Sequence, residues 1–140
     1  MIEKIHHGNQ LLAIIIPATF NEPGIHFCTE DDASQQIAFM RHPEGKEIVP
    51  HVHNPVDRHI TDTQETLIIR KGSLRVDFYT QEKDYLESRT LHQGDVILLI
   101  AGGHGFQAMA DLEMIEVKQG PYVGEADKVR FERPVELVGS

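Results

Sequence analysis

Apolar and β-branched residues come in short bursts along this chain, and a turn signal closes almost every burst. No stretch of useful length carries the 3.6-residue apolar period that an amphipathic helix requires. Alternating runs punctuated in this way restrict the fold to an antiparallel all-β sandwich or barrel. The expected strands cover residues 11–16, 24–29, 36–42, 47–53, 65–70, 73–80, 85–91, 95–99, 104–108 and 113–118. Lys71-Gly72, His92-Gln93-Gly94 and Pro43-Glu44-Gly45 supply turns between them. Asp31-Asp32-Ala33-Ser34 gives at most a turn of helix. With no repeat, low-complexity tract or linker, the 140 residues are expected to form one domain, large enough to bury a core without disulfides.

Composition removes several function classes. Hydrophobic residues make up 40% and charged residues 25%, as in an ordinary soluble protein. The longest apolar run, residues 11–17, is too short to span a bilayer, so no membrane role is expected. Glu3 offsets Lys4, which leaves no basic region of a cleaved secretory signal. A lone cysteine, Cys28, forms no internal disulfide and fits a reducing cytoplasm. With 22 acidic residues against 13 basic and a formal charge of -9, the chain has no concentrated basic face for nucleic acid. Nine histidines are the oddity. His6 and His7 are expected to be solvated and outside any site.

Side chains alternate across a strand, so residues i and i+2 share a face. On a strand over 47–53, His51 and His53 therefore point the same way, together with Val49. Glu65 shares a face with Leu67 and Ile69 on the next strand. Leu74, Val76 and Phe78 then form one face, and Arg75, Asp77 and Tyr79 the other. Two imidazoles on one strand, with a carboxylate (Glu65) and a third imidazole (His104) from other strands, make a first shell for a divalent transition metal. The longest irregular segment, residues 54–63, lies between the paired histidines and Glu65, and loops of that length beside a site are often functional.

Gly45-x5-His51-x-His53 followed by Glu65-x6-Gly72 resembles the first sequence motif of the cupin superfamily. Residues 94–104, Gly-Asp-Val-Ile-Leu-Leu-Ile-Ala-Gly-Gly-His, resemble the second. The motif core spans 45–104. Ile115-Glu116-Val117-Lys118-Gln119-Gly120-Pro121-Tyr122, with Asp127-Lys128 beyond, is similar to the end of the WbuC-type cupins linked to surface-polysaccharide genes. The resemblance implies a double-stranded β-helix, a small jelly-roll-like antiparallel barrel. It places His51, His53, Glu65 and His104 as ligands to one Zn, Ni, Fe or Mn ion. Eleven residues separate His53 from Glu65 where the family usually has only a few, so 54–63 reads as an insertion, and His59 within it is an alternative ligand to Glu65. Ile100 stands where a proline is usual, in a shortened turn before His104.

Around this shell, Arg41, His59, Tyr79 and Glu116 are the candidate ligand-binding residues. Arg41 clamps a carboxylate or phosphate if its face with Ile37 and Phe39 is interior, and otherwise forms a rim ion pair. Glu116 and Lys118 alternate with Ile115 and Val117, and either line the cavity or face solvent. A metal acting as Lewis acid, with a nearby histidine or glutamate to shuttle a proton, fits a metal-dependent isomerase or epimerase, and the subgroup resemblance implies a sugar or nucleotide-sugar derivative as its substrate. Against it stand an Fe(II) dioxygenase with the same ligands and a non-catalytic module that senses a small ligand through its metal. Residues 11–16, a hydrophobic strand with no evident partner, are expected to add to a second copy's sheet in a two-fold homodimer, and residues 121–140 to wrap the surface or an adjoining subunit.

Overall fold

A computed structural model describes residues 1–133. Residues 134–140, the end of the expected surface tail, lie outside the described residues. The described residues form ten strands: β1 (Glu3–His7), β2 (Gln10–Ile16), β3 (Gly24–Phe27), β4 (Ala38–Arg41), β5 (Glu65–Lys71), β6 (Ser73–Tyr79), β7 (Tyr85–His92), β8 (Val96–Leu99), β9 (Gly103–Ala108) and β10 (Glu113–Lys118). A single 3-10 turn, Gly124–Asp127, is the only helical element among the described residues. None of these is a helix long and apolar enough to cross a membrane. The chain forms two compact units, one of residues 21–62 and the other of residues 1–20 with 63 onward.

In the larger unit, one antiparallel sheet runs β1-β2-β8-β5-β10 and a second runs β7-β6-β9. The strand alternation makes them face each other. Ile5, Ala13, Ile15, Leu67, Ile69, Ile97 and Leu99 from the first sheet share a buried cluster with Leu74, Val76, Phe78 and Leu91 from the second. Each large aliphatic side chain withdrawn from water contributes about 1.5–3 kcal/mol. β2 and β8 read as continuous apolar runs because both their faces are covered: Ile14 and Leu98, which are register partners on the opposite face, are fully buried as well. From β5 onward the chain passes back and forth between the sheets, with β5, β8 and β10 in the first and β6, β7 and β9 in the second. Neither sheet closes into a barrel.

The turns follow the chemistry read from the sequence. Gly72 joins β5 to β6 at φ +82°, and a Cβ there would overlap the main-chain carbonyl of Asp111. In the β7–β8 turn, Asp95 accepts hydrogen bonds from the amides of His92 at 2.7 Å and Ala18 at 2.8 Å.

Three expectations need correction. The first concerns β1, which was not expected. It pairs with β2 along most of its length and carries only one buried apolar residue, Ile5, amid charged and polar neighbours. β2 therefore lies between β1 and β8 with both edges paired, and it has no free edge to offer a partner's sheet. Second, residues 47–53 are not a strand. Pro50 sits in their middle and has no amide to donate to a ladder, which outweighs the β-branched Ile48, Val49 and Val52. Third, β3 and β4, the antiparallel hairpin of the smaller unit, are shorter than read. Gln36 is drawn out of β4 because its amide donates to the carbonyls of Glu30 and Ala33, both at 2.9 Å, and folds the connection.

Candidate functional site

Glu65 opens β5 on the face that carries Leu67 and Ile69, opposite Leu99 on one side and Lys118 on the other. His104 stands opposite the buried Phe78 on β9, so it too projects between the sheets. The two meet at the end of the apolar core, with His104 Nε2 3.8 Å from Glu65 Oε2. That separation is too long for a direct hydrogen bond. Both side chains are largely withdrawn from water, at 26% and 16% exposure. The His104 ring stacks on Phe106, centroids 5.2 Å apart, which fixes its plane.

Burial governs the ionisation of both groups. It lowers the pKa of His104, and the nearby Lys128 ammonium lowers it further. It raises the pKa of Glu65, helped by the Glu116 and Asp127 carboxylates and opposed by Lys118 and Lys128. At neutral pH the imidazole is the free base, with a lone pair available to a Lewis acid. Two donors each about 2.0–2.2 Å from one ion lie on the order of 3–4 Å apart, so the observed spacing suits two ligands of a common metal.

Around Glu65, β10 presents Glu116 and Lys118 on the inner face, opposite Leu67 and Glu65. Lys118 Nζ lies 3.2 Å from Asp127 Oδ2. Lys118, Gln119, Tyr122 and Asp127 are among the residues lining a small cavity of about 170 Å³. Gln119 Oε1 and Asp127 Oδ1 are buried there without a hydrogen-bond donor among the described residues. Asp127 and Lys128 were absent from the sequence-derived site because they lie at the end of the 3-10 turn, off any strand whose alternation could place them. The alternation on β10 had left Lys118 either lining the cavity or facing solvent.

The smaller unit holds the other two histidines. His51 and His53 lie in the strandless stretch 42–64, both exposed, with their rings edge to face at 5.2 Å. His51 Nδ1 is 2.8 Å from the Val49 carbonyl. A carbonyl only accepts, so Nδ1 is the donor, and in the neutral ring Nε2 then carries the lone pair. That is the backbone-oriented tautomer found in metal-binding histidines. Arg41 is exposed on β4, with Nη1 donating to the Asn21 carbonyl at 2.7 Å. His59 is exposed in the strandless stretch. Tyr79 lies in the larger unit on the outer face of β6, 2% exposed, with its ring edge-on to Phe131 at 4.9 Å and Tyr85 at 5.8 Å. It does not share the face of Glu65 and His104.

Among the described residues, no three His, Cys, Asp or Glu side chains converge as a group that could hold a metal ion. The structure brings together the pairs Glu65–His104 and His51–His53, each within its own unit. No protein-family model matches the sequence, and neither a curated protein nor a solved structure matches it at a significant level.

Proposed function

We propose that this chain is a cupin-like metalloprotein whose His51, His53, Glu65 and His104 share one divalent transition metal (Zn, Ni, Fe or Mn) and which acts on a small polar molecule. The observation that carries the reading is the meeting of a free-base imidazole and a carboxylate at the mouth between two facing sheets. Such a pair at the end of an apolar interior has no packing benefit, whereas it suits a hard-to-borderline cation. The tautomer of His51 supports the same use for the paired histidines. The back-and-forth passage of β5 to β10 between two sheets is consistent with a jelly-roll-like double-stranded β-helix in the larger unit.

A bound metal would supply Lewis-acid polarisation of a carbonyl or hydroxyl. This chain's own residues would do the rest. Glu116, on the inner face of β10 and close enough to raise the pKa of Glu65, is placed to take or return a proton. Lys118, partnered by Asp127, would orient a polar group beside it. That division of labour fits isomerisation or epimerisation of a sugar-like substrate. A homodimer belongs to the same reading. Its contact surface would be the exposed apolar face of the β3–β4 hairpin, where Ile25 and Met40 are register partners and Phe27 is 72% exposed.

The test is elemental analysis of protein purified without a histidine tag, repeated on His51→Ala/His53→Ala and on His104→Ala. One metal per chain in the parent, lost in both variants, is the expected result. A double variant that keeps full metal removes the paired histidines from the shell.

A further inference from the structure

The second sheet of the larger unit has an outer face that is unexpectedly buried. Arg75, Asp77 and Tyr79 project there from β6, at 7%, 0% and 2% exposure. Asp77 Oδ1 accepts from the Ser88 hydroxyl at 2.6 Å and lies 3.0 Å from Arg75 Nε. Its second oxygen, Oδ2, faces Arg133 Nη2 at 3.2 Å.

Arg133 reaches β9 as well. Its Nη1 donates to Gln107 Oε1 at 2.5 Å, and its Nη2 donates to the Phe106 carbonyl at 3.3 Å. One planar guanidinium thus joins a buried carboxylate on β6 to a side chain and a main-chain carbonyl on β9, a task its fork suits and a lysine ammonium does not. Two residues earlier, Phe131 stands edge-on to Tyr79 and lies against Gly103, where a Cβ would come within 3.3 Å of its ring. β9 is an end strand, hydrogen-bonded to β6 alone among the described residues. It is held from outside at Gly103, Phe106 and Gln107, positions that bracket His104 on its inner side.

We infer that Phe131 and Arg133 form a clamp that positions β9, and through it His104. The consequence for metal binding rests on the reading under Proposed function, whereas the hold on β9 does not. Arg133 and Phe131 are positioning residues, because neither faces the Glu65–His104 mouth.

The test uses the full chain carrying Arg133→Ala, Arg133→Lys or Phe131→Ala, with Ile5→Val as a core control in the other sheet, on a strand that does not pair with β9. Hydrogen exchange is followed amide by amide, and cobalt(II) is titrated with its visible absorption recorded. In Arg133→Ala, β9 amides are expected to exchange at least about ten-fold faster while β2 and β8 keep their rates, the least that loss of a charge-assisted hydrogen bond gives. Cobalt(II) affinity should fall by a similar factor, with a shifted absorption band. Arg133→Lys restores the pair with Asp77 but not the fork, and so recovers part of both signals. Ile5→Val lowers the melting temperature and leaves the cobalt(II) band in place. Unchanged β9 exchange in both Arg133→Ala and Phe131→Ala overturns the clamp. Faster β9 exchange with an unchanged cobalt(II) band overturns its link to His104. If the parent binds no cobalt(II), the metal reading fails and β9 exchange still decides the clamp.

Discussion

Burial pushes His104 and Glu65 toward their neutral forms from opposite sides of the pH scale. A histidine whose folded pKa is depressed binds fewer protons folded than unfolded below its ordinary value of 6.5. Its contribution to stability is therefore complete above 6.5 and is lost as pH falls through the folded pKa. Glu65 has the reverse sign: its contribution is complete below 4.5 and is lost as pH rises through the raised folded pKa. In the metal-free protein, urea unfolding at a series of pH values should show His104→Asn flattening the loss just below 6.5. Glu65→Gln should flatten the opposing loss just above 4.5. An unchanged slope in His104→Asn would contradict the burial argument. Gly72→Ala combines a positive φ with overlap on the Asp111 carbonyl, and should cost more than about 2 kcal/mol in the same assay. At this scale, strand parity alone made Glu65 legible beside Leu67 and Ile69, and set Tyr79 on the opposite side from Phe78. The Arg133 and Asp127 contacts were not legible, because neither residue lies on a strand whose alternation could place it.

Among the elements, β10 carries no buried residue, and the strands that proved easiest to read are those buried on one or both faces, β2, β5, β6 and β8. Their apolar pattern is a direct record of what they pack against. Two of the three corrections follow from strand chemistry. An edge strand needs few apolar residues, so β1, with Ile5 alone turned inward, has almost no signature. Residues 47–53 have the composition of a strand but lack the continuous amide donors of one. Because β1 covers an edge of β2, a chain lacking residues 1–9 should expose a long apolar strand to self-pairing. Light scattering across a dilution series is expected to show added oligomers in that deletion. A deletion with the parent's size distribution would show that β1 is dispensable as a cover.

For the molecule as a whole, the all-β class and the facing antiparallel sheets followed from the sequence pattern, because alternation and turn chemistry report burial locally. Sheet order and the buried outer face of β6 did not, since both depend on pairings distant in the chain. If one ion ties the proposed ligands, its binding is linked to folding. Zinc at about 100 times its Kd should raise the unfolding free energy by about 2.7 kcal/mol, seen as a higher melting temperature. The His104→Ala variant should show no zinc-dependent rise, and an equal rise in that variant would place the ion elsewhere. Phe27→Asp should shift any dimer to monomer in sedimentation while leaving that rise intact. The most direct measurement of the shared site is X-ray absorption at the metal edge of tag-free protein. The account predicts a shell of three imidazoles and one carboxylate oxygen, and a shell with a single imidazole, or none, would contradict it.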